Sequence, residues 1–199
     1  KGKKNKKNNN NSDFGANLFG GLNNNKKNKN NMDLKQINIY LNQLIQKKKF
    51  DEAWSYINIA ISRQKIIPDI FTMTILLKGC RHRTDLNTAK KIWDMMDKFK
   101  IDANAHSMGE MIGIYFKKHK INEAHELFNK FLLKKAPTAS RDDNVKIWSI
   151  YLNGLVSNKK LNLAMNSYNS MLTQYNIKPD IFIINTLLKG CRKNGDLKT

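Results

Sequence analysis

Residues 68–88 read PDIFTMTILLKGCRHRTDLNT, and residues 179–199 read PDIFIINTLLKGCRKNGDLKT. The pieces PDIF, LLKGCR and DL return in the same order and at the same spacing, so Cys80 and Cys191 occupy one place, 111 residues apart. A block that recurs at such a distance signals a repeat architecture with further copies in between. Three units of about 35 to 40 residues would fill the interval, a usual period for helical repeats.

The intermediate copies are found by their small residues. Ala53, Ala89, Ala124 and Ala164 are each preceded three positions earlier by an apolar residue: Phe50, Leu86, Ile121 and Leu161. Four positions after each alanine stands a large one: Ile57, Trp93, Phe128 and Tyr168. Those spacings place all three on one face of a helix, with the alanine allowing close approach. Ahead of the first set, Ile37, Tyr40, Leu41, Leu44 and Ile45 share another helical face, and QKKKFDEA between them reads as a tight turn. The unit is therefore a helical hairpin. One hairpin cannot bury its apolar face alone, so the hairpins must stack.

Around this array the chain is strongly basic. Thirty-six Lys and Arg face 16 Asp and Glu, a net charge of +20 that points to a polyanionic partner. Residues 1–31 carry eight lysines, Asp13, twelve Asn and four Gly, too little apolar surface to offset chain entropy, and are expected to be a disordered low-complexity tail. Their net charge is +7, so residues 32–199 keep +13. No apolar run is long enough for a membrane span, and no signal-peptide core is present. The two cysteines have no CxxC or Cys/His spacing, which argues against a disulfide scaffold or a zinc site. The chain opens with Lys1 and stops at Thr199 within a helical pattern, so it reads as a piece of a longer protein.

With these residues in view the chain resembles the pentatricopeptide repeat family. Ile70–Asn104 fits the family's 35-residue hairpin without a gap, with Ile75-Leu76-Leu77-Lys78-Gly79, then Ala89, Trp93, Met96 and the ending Ala103-Asn104. The rival tetratricopeptide hairpin needs a small residue at its eighth position. Leu41, Leu77, Ile112 and Leu152 stand there instead. The resemblance implies an all-α, right-handed superhelical solenoid over residues 34–199. Its repeats are expected at 34–69, 70–104, 105–144 and 145–180, with a partial one at 181–199. The register is loosest between Ala136 and Asn144, where APTASRDDN follows the second helix.

The resemblance also implies a partner, single-stranded RNA, whose bases meet the fifth and last residues of each repeat. Those pairs are Asn38 with Asp69 for uracil, Thr74 with Asn104 for adenine, and Ser149 with Asp180 for guanine; Asn185 opens the partial repeat. Gly109, paired with Asn144, has no side chain to read with, so the third repeat is expected to be permissive or silent. With the family's polarity the core is 5′-U-A-N-G-3′, followed by a pyrimidine. A carboxylate only accepts hydrogen bonds and suits the ring N–H of uracil or guanine, whereas an amide donates and accepts and suits adenine. Asp or Asn at these places is also a common helix N-cap.

Second positions hold Lys35, Phe71, His106, Lys146 and Phe182. Phe71 and Phe182 are candidates to stack on bases, with packing between hairpins as the other reading. Lys117 and Lys193, at the thirteenth position, are candidate phosphate contacts. No metal site is expected, because His82, His106, His119 and His125 lack an HExxH or acidic partner set. The methionines Met95, Met96, Met108 and Met111 read as core filling, and Trp54, Trp93 and Trp148 as buried. No catalytic residue and no cofactor are expected.

The function implied is sequence-selective binding supporting organelle RNA processing, stability or translation, with location in mitochondria and the ribosome or RNA-processing proteins as further partners. The alternatives are a protein-binding helical scaffold, or the RNA-guiding portion of a longer enzyme such as a tRNA-processing nuclease.

Overall fold

A computed structural model describes residues 33–134, 136 and 139–194. The expected tail at 1–31 and the last residues, 195–199, lie outside the described residues. Nine α-helices are formed by the described residues. They are α1 (Leu34–Gln46), α2 (Phe50–Gln64), α3 (Ile70–Arg83), α4 (Leu86–Lys98), α5 (Ala105–Lys117), α6 (Ile121–Lys134), α7 (Arg141–Ser157), α8 (Leu161–Thr173) and α9 (Ile181–Asn194). The fold is an all-α array of helical hairpins, α1/α2, α3/α4, α5/α6 and α7/α8, continued by α9.

The hairpins stack through their first helices. Each of α1, α3, α5 and α7 packs on the first helix of the next hairpin, while each second helix packs on its own first helix and on the next one. A first helix in mid-array is thus covered on more sides than a second helix. This explains why Trp148 on α7 is 1% exposed while Trp54 on α2 and Trp93 on α4 are only half-buried. The four alanines are fully buried. Two core clusters fill the array, with Trp93, Ala103, Tyr115 and Leu127 packed against both. Cys80 is buried in the first, and burial pushes its thiol up to about 12, so it is an inert packing residue.

Gly79 holds two hairpins close. A Cβ there would lie 2.5 Å from Cδ2 of Phe50 and 2.6 Å from Cδ1 of Ile45, both in the preceding hairpin. Only glycine admits that approach.

The first helices of the four hairpins, α1, α3, α5 and α7, end in the same way. The N–H groups of Lys49, Asp85, Lys120 and Lys160 donate to the carbonyls five residues back, of Leu44, Cys80, Tyr115 and Leu155, at 2.9 Å each. The residue before each donor is left-handed: Lys48, Thr84, His119 and Lys159, with φ of 57° to 60°. This is a Schellman termination, which satisfies the last helical carbonyls.

One boundary is set by the structure. Helix α7 begins at Arg141, four residues before Val145, because Ser140 caps it by accepting from the Asp143 N–H at 3.1 Å. Asp142 and Asp143 in its first turn complement the helix dipole. Asn144 is therefore inside a helix.

Candidate nucleic-acid interface

The residues that close the hairpins cap the first helices that follow. Asp69 caps α3: its Oδ1 accepts from the Thr72 N–H at 2.8 Å, and the Thr72 hydroxyl oxygen lies 2.8 Å from the same oxygen. Asn104 caps α5, accepting from the Ser107 N–H at 2.9 Å. Asp180 caps α9, accepting from the Ile183 N–H at 2.8 Å. In each case one oxygen is turned into the helix start, and cap and candidate base reader are one side chain.

The first pair is brought together in space. Asn38, in mid-α1, donates from Nδ2 to Asp69 Oδ1 at 3.1 Å across 31 residues of sequence. Its Oδ1 accepts from the Thr72 hydroxyl at 2.7 Å. Asn38, Asp69 and Thr72 thus form a closed polar cluster between neighbouring hairpins, and the cluster orients both amide and carboxylate before any ligand arrives. Thr72 was not among the sequence-derived candidates. The signal for it was Asp-x-x-Thr, and Asn104-x-x-Ser107 repeats it.

The other candidates are placed less alike. Thr74 donates to the Ile70 carbonyl at 2.7 Å, back along its own helix, and makes no bond to Asn104 among the described residues. Ser149 is half-buried near the middle of α7, and Asn185 is exposed on α9. Gly109 is buried, and a Cβ there would meet Ile150 Cδ1 at 3.0 Å. The next hairpin has closed over that position. Asn144 donates to the Ala136 carbonyl at 3.1 Å, tying down the loop, and its buried Oδ1 has no partner among the described residues.

At the second positions Phe71 is 68% exposed and Phe182 59% exposed. The helices packed on α3 from both sides leave the Phe71 ring open. Lys35 and Lys146 are also exposed. His106 differs, since its Nδ1 lies 3.4 Å from Asp143 Oδ1, on the extra turn that opens α7.

Of the two phosphate candidates, Lys193 is exposed at the end of α9. Lys117 donates to the Arg81 carbonyl at 2.8 Å, at the C-terminal end of α3, where a cation suits the helix dipole. Beside it Arg81 Nη1 pairs with Glu110 Oε2 at 3.2 Å, a partly buried link between α3 and α5 across 29 residues that no local motif signals. Among the described residues no group of His, Cys, Asp or Glu could hold a metal ion, and no helix is long and apolar enough to cross a membrane.

Comparison with known proteins agrees with this arrangement. The family model described as PPR repeat matches residues 108–135. A pentatricopeptide repeat-containing protein of Arabidopsis thaliana, At4g39530, is 25% identical over 141 residues, covering 69% of this chain and 16% of the relative. The crystal structure of the pentatricopeptide repeat protein PPR10 in complex with an 18-nt psaJ RNA element superimposes with a TM-score of 0.71 at 13% identity, over 81% of this chain and 23% of that one. The PPR domain of Arabidopsis thaliana protein-only RNase P 1, in complex with tRNA, superimposes with a TM-score of 0.62 at 14% identity, over 81% of this chain and 82% of that domain. The chain spans 16% to 18% of the length of the first curated relatives it matches.

Proposed function

We propose, for a chain that belongs to the pentatricopeptide repeat family, that it binds single-stranded RNA and reads bases at the edge formed by the first-helix N-termini. The observation that carries this is the Asn38–Asp69–Thr72 cluster beside the exposed ring of Phe71. It offers an oriented acceptor next to an apolar plate, and an unstacked base needs both. The basic balance of the chain supplies the general attraction to phosphate.

The reading assigned to the array is 5′-U-A-N-G-3′ followed by a pyrimidine, through Asn38/Asp69, Thr74/Asn104, Ser149/Asp180 and Asn185. Gly109 and Asn144 contribute no preference, because one is covered by Ile150 and the other is bound into its own loop. The chain itself serves binding and not catalysis. Work on organelle transcripts, in mitochondria, follows from the family resemblance. A second reading, the RNA-guiding part of a longer tRNA-processing nuclease, is supported by the similarity to the RNase P repeat domain.

Selection of bound sequences from a random RNA pool tests the assignment. Enrichment of U-A-N-G is expected; a pool without it overturns the register. In the same assay Asn104→Asp should move the second base from A toward G, and an unchanged second base would remove Asn104 from the set of readers.

A further inference from the structure

The two edges of the array differ sharply in charge. The segments joining first to second helix within a hairpin are 47–49, 84–85, 118–120 and 158–160. They hold seven lysines and one aspartate, a net of +6. The segments joining one hairpin to the next are 65–69, 99–104, 135–140 and 174–180. They hold four lysines and three aspartates, a net of +1. The base-reading candidates Asp69, Asn104 and Asp180 belong to the second edge. The turn edge lies at the opposite end of the first helices, about 20 Å away for a 13-residue helix.

Local backbone preference does not explain these lysines. The left-handed place in a Schellman termination is normally filled by glycine, since any Cβ is disfavoured there. Here it holds Lys48, Thr84, His119 and Lys159. At the equivalent place of the second PDIF block the sequence has Gly195. Left-handed lysines also occur on the other edge, at Lys65 and Lys100, but there Asp69 and Asp102 stand close by in sequence.

The turn edge is also built as a unit. Neighbouring turns are tied by Arg83 to Asp51 at 2.5 Å, by Lys117 to the Arg81 carbonyl at 2.8 Å, and by His119 Nδ1 to Asn158 Oδ1 at 2.7 Å. Lys49 and Lys120 are neutralised by Glu52 and Glu123. Lys47, Lys48, Lys118, Lys159 and Lys160 are exposed and form no ion pair among the described residues. Between the third and fourth turns a cleft of about 380 Å³ opens, lined by His119, Lys120, Ile121, Asn122, Glu123 and Lys160.

We propose that this turn edge is a second binding surface, for the phosphate backbone of base-paired RNA. The edge sets unpaired lysines on its first, third and fourth turns, with packed helices standing roughly 8–10 Å apart, on links that fix the spacing in advance. Its turns carry no Phe, Tyr or Trp, so it has nothing on which an unpaired base could stack. A duplex hides its bases and presents its phosphates, which is the surface such an edge can engage. An anionic membrane is disfavoured, because the most exposed apolar side chains, Ile67, Phe71, Leu133 and Ile181, lie toward the other edge.

The test is binding of a blunt RNA duplex of about 12 base pairs lacking U-A-N-G, titrated across salt, with the whole chain. Wild type should bind it. A variant carrying Lys47→Gln, Lys48→Asn, Lys118→Gln, Lys159→Asn and Lys160→Gln should bind at least about tenfold more weakly, with a salt slope shallower by about 2 or more. Its affinity for the selected single strand should fall by about threefold at most, the share expected of screened charges. Asparagine tolerates the left-handed conformation, so the thermal midpoint should hold or rise, which excludes unfolding as the cause. A matched variant with Lys65, Lys98, Lys100, Lys134 and Lys178 replaced should keep duplex binding within about threefold of wild type, because only screened charge is lost. Equal loss in both variants would overturn the proposal, as would wild type that binds the single strand but not the duplex, or that binds an acidic polypeptide in preference to it. Failure of wild type to select any single-stranded sequence would sink the base-reading function alone, since duplex binding is read separately.

Discussion

The first and third hairpins have the same two-helix plan and opposite surfaces. In the first, Asn38 and Asp69 meet in a polar cluster at the edge, with Phe71 exposed beside it. In the third, the corresponding fifth residue is Gly109, buried under Ile150, the second-position His106 lies against Asp143, and Asn144 is spent on the loop. The difference comes from one added helical turn, Arg141–Asn144, and from one missing side chain. An array of near-identical units can thus alternate open and closed positions without changing its stacking.

The largest expected effect is on the closed region. Trp148→Ala removes a fully packed ring that meets Phe128 edge to face at 4.8 Å, and should cost about 3–5 kcal/mol in denaturant unfolding. A loss below about 1 kcal/mol would show that the closed region is not the packed block described here. On the open side, Phe71→Ala should weaken binding of the selected RNA by about 1–3 kcal/mol. Unfolding should scarcely register it, because the ring is 68% exposed. If stability falls as much as affinity, the ring is packing and not stacking.

Asp69→Ala sharpens the comparison further, since it removes cap and reader together. Stability should fall by about 1–2 kcal/mol, and the uracil preference at the first base should vanish. Asn144→Ala should leave the third base unselected, as in wild type. A new preference there would break the contrast between the hairpins.

The smallest effect concerns a cap on the turn edge, remote from the base-reading candidates. The Thr88 N–H and hydroxyl hold the Asp85 carboxyl below its usual range. A depressed folded-state pKa means stability present above the unfolded value and lost as pH falls through the folded one. Asp85→Ala should therefore cost about 1 kcal/mol at pH 7, with the gap to wild type closing in acid below the ordinary carboxylate range. A gap that persists there would mean that the charge is not what stabilises the cap.

Much of this was legible in the chain because it depends on short-range pattern. The doubled PDIF block gave the period, and the alanines at 53, 89, 124 and 164 gave the second helices. Both signals rest on helical periodicity, which a single strand of text carries. Asp69 and Asn104 could be named from their place in the unit, and Thr72 and Ser107 were readable as partners three residues on. The start of α7 was not readable, since the choice between Ser140 and Asn144 as cap depends on how the loop at Ala136 folds back on Asn144. Nor was the half-burial of Trp54 and Trp93, which depends on how many neighbours a second helix has.

Sequence alone determined that the chain is a stack of hairpins with a basic balance, because apolar spacing and composition are properties of order along the chain. Tertiary structure alone decided which candidate readers stand open. Ile150 reaches Gly109 from 41 residues away, Asn38 reaches Asp69 from 31, and the lysines of three separate turns come to one edge. Such proximities arise when helices pack side by side, and packing is settled by shape across the array.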